Sequence, residues 1–131
     1  MIDELTLSIK LKFDLQSINI YNDMKSSNSL SYILDQLKNE LSSFIPLNPS
    51  RLRINNKIQD VNTVTNEKQV LLSVTIFPPI NSNGIERNTE SVKNDLIELI
   101  KEKKVSLISQ GNITKFLDEN YESQIIRKYI N

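Results

Sequence analysis

The sequence predicts an α+β fold: an antiparallel sheet carrying two helices on one face, arranged as a split β-α-β sandwich. Three observations carry this. Residues 5–15 alternate apolar and polar throughout, and residues 69–79 (QVLLSVTIFPP) give a second, stronger strand pattern. Between and after them run two stripes of apolar residues at helical spacing.

In chain order, Leu5, Leu7, Ile9, Leu11, Phe13 and Leu15 are expected to face the core, with Thr6, Ser8, Lys10, Lys12 and Asp14 outward. Residues 16–27 are polar apart from Ile18, Ile20, Tyr21 and Met24, and read as a connection that extends the strand a little. Ser27, Asn28 or Ser29 is suited to cap a first helix, whose stripe is Leu30, Ile33, Leu34, Leu37, Leu41 and Phe44. Pro46 and Pro49 break it. Residues 51–59 then alternate with Leu52, Ile54 and Ile58 inward, interrupted by Asn56, and a polar turn over 60–68 makes this segment and the next an antiparallel hairpin.

In the central strand Val70, Leu72, Val74 and Ile76 share a wholly apolar face, while Leu71, Ser73, Thr75 and Phe77 share a mixed one. Pro78 and Pro79 end it, because neither donates a ladder hydrogen bond. After a loop containing Asn83-Gly84, Asn88 or Thr89 caps a second helix with Val92, Leu96, Leu99 and Ile100 inward, Glu90 in its first turn and Lys101, Lys103 and Lys104 near its end. The last strand falls either at 105–110 or at 124–130, with a short helix over 114–121 between. The expected organisation is a single domain, 1–131, with its core over about 5–120 and a tail over 121–131.

Composition narrows the function. The 16 basic and 16 acidic residues give no net charge, which argues against nucleic acid or an anionic membrane as the main partner. Cys, His and Trp are absent, removing thiol chemistry, imidazole catalysis and the usual zinc or copper sites. No apolar run is long enough to insert into a membrane, and the first residues lack the apolar core of a signal peptide. Asn, Ile and Lys supply 46 of the 131 residues, which reflects codon bias rather than a polar-tract function.

The run 33–41, then RLRINNKI (51–58), VLLSVTIFPP (70–79) and SLISQGNITKFLD (106–118), resembles SEA-like domains, ferredoxin-like modules of ectodomains. That resemblance implies a ferredoxin-like fold and a non-catalytic spacer or protein-interaction role at the cell surface or outside the cell, within a larger secreted or membrane-anchored protein. Self-cleaving members carry Gly-Ser in the hairpin between strands two and three. Here the hairpin reads DVNTVTNE (60–67), and neither Gly84 nor Gly111 precedes a serine, so an intact chain is expected. Thr63 and Thr65 are the hydroxyls of that turn. The alternative is a cytoplasmic assembly domain forming a homodimer through an edge strand or the open sheet face.

No catalytic, cofactor or metal residue is expected. The acids Asp118, Glu119 and Glu122 lack EF-hand spacing and read as a solvated face. An acylphosphatase-like loop is missing at 16–20, and only Phe77 is aromatic where an RNA-recognition sheet needs stacking rings. Asn112-Ile113-Thr114 is the one usable N-glycosylation sequon. Leu71, Ser73, Thr75 and Phe77 are the candidate surface for a protein partner, set against two plainer readings: isolated exposed apolar residues, or a face lying under the tail.

Overall fold

The computed structural model describes residues 2–61, 66–80 and 86–130. The described chain is α+β, with a five-stranded antiparallel sheet and three helices. Its elements are β1 (Ile2–Phe13), α1 (Ile18–Met24), α2 (Ser27–Phe44), β2 (Leu52–Ile54), β3 (Gln59–Val61), β4 (Lys68–Ile76), α3 (Thr89–Lys101) and β5 (Ile125–Ile130).

β1 and β4 form the middle of the sheet, in a register that sets Leu5 opposite Ile76, Leu7 opposite Val74, Ile9 opposite Leu72 and Leu11 opposite Val70. Opposite residues of an antiparallel pair share a face, so the two apolar rows merge into one floor. All eight side chains are at most 2% exposed. Ile33, Leu34, Leu37 and Leu41 of α2, Val92, Leu96 and Ile100 of α3, and Met24 of α1 close on that floor as a single cluster. α2 starts one residue before the expected caps: Ser26 is its N-cap and makes no side-chain cap bond. In α3 the cap is Asn88, whose Oδ1 accepts the Ser91 N–H at 2.8 Å.

Three expectations are corrected. The chain turns at Asp14, whose carboxylate accepts the Ser17 N–H while Ser17 Oγ accepts the Asp14 N–H, both at 3.0 Å. This reciprocal cap ends β1, leaves Leu15 69% exposed rather than inward, and feeds α1 where a connection was expected. The expected two helices are therefore three.

The 51–59 strand is split: β2 pairs with one end of β4 and β3 with the other. Between them Asn55 keeps its N–H on the Ser73 carbonyl (3.0 Å) but turns its side chain back to the Lys57 N–H (2.9 Å).

Of the two places expected for the last strand, 124–130 holds it: β5, inside the stretch set apart as a tail, lies antiparallel to β1. The alternative at 105–110 forms 3-10 turns instead, because Ser106 Oγ donates to the Leu99 carbonyl (2.8 Å) and Ser109 Oγ to the Ser106 carbonyl (3.0 Å). From there Ile108, Ile113 and Leu117 enter the core, and Phe116 packs on Phe13 at 5.1 Å between ring centroids.

Residues 62–65 and 81–85, which include Thr63, Thr65 and Asn83-Gly84, lie outside the described residues.

Candidate interaction surface

β4, with Phe77 just past its end, presents the mixed row on the face opposite the helices. Leu71 and Phe77 are half-buried, Ser73 is half-buried between them, and Thr75 is 5% exposed. Their neighbours are set by register. Leu71 lies between Lys10 of β1 and Gln59 of β3, Ser73 beside Ser8, and Thr75 between Thr6 and Arg53. The Thr6 and Thr75 hydroxyls are 2.8 Å apart, so Thr75 organises the face rather than presenting itself to a partner. The Arg53 guanidinium stands 5.2 Å from the Phe77 ring centroid, a stacked cation at the end of the row. The surface is thus a strip of hydroxyls between two apolar side chains, framed by cations.

Phe77 is anchored from beneath. Arg51 is 1% exposed; its Nε donates to the Phe77 carbonyl (3.1 Å) and its Nη1 to the Arg87 carbonyl (2.6 Å), while the Phe77 N–H returns to the Arg51 carbonyl (2.8 Å). Burial pushes the Arg51 guanidinium down from its ordinary pKa, against the pull of the Glu86 carboxylate. Arg87 in turn reaches the Ile45 carbonyl (2.8 Å) and pairs with Asp95. Sequence reasoning missed this pair, since an arginine at the head of a strand reads as solvent-facing.

The far side of the face is occupied by the segment that leads into β5. Tyr121 Oη lies 2.6 Å from Ser8 Oγ, and Lys10 Nζ sits 5.4 Å over the Tyr121 ring. The tail segment therefore covers Ser8, leaving Leu71 and Phe77 partly open. Asp118, expected on a solvated acidic face, is 5% exposed instead. It pairs with Lys10 (3.1 Å) and Lys12 (3.7 Å) and accepts the Asn120 N–H at 2.9 Å. Burial alone would raise its carboxyl, but the Asn120 N–H and the two lysines outweigh it and hold the pKa below its ordinary value. Among the described residues no group of three or more acidic side chains is placed to hold a metal ion.

Asn112 is exposed on a turn fixed from α2. The Glu40 carboxylate accepts the N–H groups of Asn112 (3.1 Å), Ile113 (3.0 Å) and Thr114 (3.0 Å). Thr114 is wholly buried and its hydroxyl donates to the Ile108 carbonyl at 2.8 Å. The two sequon residues thus differ in kind: one side chain open to solvent, one built into the fold.

Among the described residues no helix is long and apolar enough to cross a membrane. No family model, no curated protein and no solved structure matches the chain.

Proposed function

We propose that this chain is a non-catalytic protein-interaction or spacer module of ferredoxin-like topology, SEA-like in kind and not self-cleaving, belonging to the extracellular part of a larger protein. The topology is supported by the strand order β2-β4-β1-β5, with β3 beside β4, and by helices in the β1-to-β2 and β4-to-β5 connections. The observation that carries the interaction role is the sheet face away from the helices. There Leu71 and Phe77 keep part of their apolar surface in solvent, and Arg53 stacks on Phe77.

A photo-crosslinking residue at Ser73, in the centre of this face, is expected to give a discrete adduct in the source cell, whereas one at Lys38 on α2 is not. Adducts from Lys38 alone overturn the assignment. Expression through a secretory pathway is expected to add a glycan mass that Asn112→Gln removes. Asn112→Gln is the clean control, because Thr114→Ala would also strip the Ile108 carbonyl of its partner. A mass in light scattering that rises with concentration, with no glycan, favours the cytoplasmic homodimer instead.

A further inference from the structure

We propose that the outer edge of β5 docks an extended acidic segment of a partner protein, which adds to the sheet as a further antiparallel strand. The inference rests on reading the chain as a protein-binding module, and it names a second surface and the chemistry of what fits there. β5 ends the strand order, and among the described residues it pairs with β1 alone. Its register with β1 shifts at Ile126, so the outward backbone groups over 127–130 are the template for strand addition. Ile125, Ile126 and Tyr129 are 42%, 57% and 52% exposed, an unusual apolar content for an edge strand.

Charge selects the occupant. Arg127 and Lys128 stand exposed at the middle of the strand, and neither is in a salt bridge among the described residues. Arg127 is held ready: its Nη1 donates to Tyr129 Oη (3.1 Å) and its guanidinium lies 5.6 Å from the ring centroid. On α3, Glu90, whose carboxyl feels Lys128, is already paired with Lys93. A second copy of β5 fits poorly. In each of the three antiparallel registers of greatest overlap, Arg127 or Lys128 faces itself or the other across the dyad.

The fold also displays a sequence that complements this strand. On its inner edge β5 pairs with β1 so that Glu4 stands opposite Tyr129, Leu5 opposite Lys128 and Thr6 opposite Arg127, with a register shift on either side of this run. Glu4 is thus diagonal to Arg127 on one face, a favourable cross-strand relation. The outer edge carries the same side chains, so the same pattern in a partner is favoured there.

The test uses the full chain and a fluorescent peptide, IDELTL, standing in for the partner segment, followed by anisotropy and amide hydrogen exchange. Saturable binding is expected, with added protection in β5. A double Arg127→Glu, Lys128→Glu variant should bind roughly tenfold more weakly, as expected when two exposed pairs change from attraction to repulsion. The peptide IKKLTL should bind that variant and not the parent, a recovery that a misfolded variant could not give. No saturation at millimolar peptide, or equal binding of IDELTL and IKKLTL by the parent, overturns the proposal. So does protection of β5 that appears with protein concentration and no peptide, which assigns the edge to a second copy. Ser73 adducts that persist when the peptide fails sink the edge and leave the module reading standing. Peptide binding without Ser73 adducts keeps the edge and overturns the sheet face as a partner surface.

Discussion

Gly111 shows how one residue decides a turn. Its φ of −77° is open to any residue, so the constraint is space. An added Cβ would overlap Thr114 Oγ1, come within 2.5 Å of Glu40 Oε1 and lie 3.2 Å from the Phe44 ring. Gly111→Ala therefore pushes apart the carboxylate and the three N–H groups it holds. It is expected to cost about 2–3 kcal/mol in urea unfolding, similar to Glu40→Ala, with the double mutant far short of the sum because both break one network. Asp118 gives a pH test. Its folded pKa is depressed, so its contribution is present above the ordinary value of about 4 and is lost as pH falls through the folded value. Asp118→Asn is expected to lower stability by about 2 kcal/mol at pH 7, and the gap to the parent should narrow steadily below about pH 4. A gap unchanged at pH 3 would refute the ion-pair account.

At the scale of elements, the legible parts were those whose period is clean. β1 alternates without error from Leu5, β4 sets a wholly apolar face against a mixed one, and α2 and α3 keep an unbroken stripe, because each contributes one full face to the same core. α1 was not legible. It is 7 residues long and buries one side chain, Met24, too little for a helical period to stand out, and the signal that makes it is the Asp14–Ser17 cap just before it. Met24→Ala is accordingly expected to cost about 2–3 kcal/mol, as for a deep core truncation. Leu15→Ala, nine residues earlier and nominally in register with the strand, should change stability by less than about 0.5 kcal/mol. A reversed ranking in thermal melts would restore the longer strand and remove the helix. β5 escaped a firm assignment for a related reason: its described side chains are exposed on both sides, so alternation carried no information.

For the molecule as a whole, the open sheet face was foreseen in its residues but not in its texture. The row Leu71, Ser73, Thr75 and Phe77 follows from the period of β4, whereas Arg53 on Phe77, Arg51 beneath it and Tyr121 over Ser8 depend on pairings far apart in sequence. Among the described residues, 22 buried apolar residues form one cluster spanning the three helices and the 108–117 turns. A single unfolding unit follows. Far-UV circular dichroism and tyrosine fluorescence are expected to give coincident urea transitions, since Tyr21 packs on Phe13 and Tyr121 bonds Ser8 at separate points of β1. Separated midpoints would mean that the turns after α3 melt on their own.

The two borders of the sheet are not alike. One is the run of β2 and β3, where residues 56–58 leave the ladder; the other is β5, which shifts register at Ile126 and is marked by two cations. Propagating a sheet from molecule to molecule requires two continuous borders that accept each other in turn. Here the β2–β3 border is broken over 56–58 and β5 shifts register at Ile126. Growth by strand addition is therefore expected to stop at a single added strand, and a concentrated or tandem-tethered chain is expected to seed no fibre.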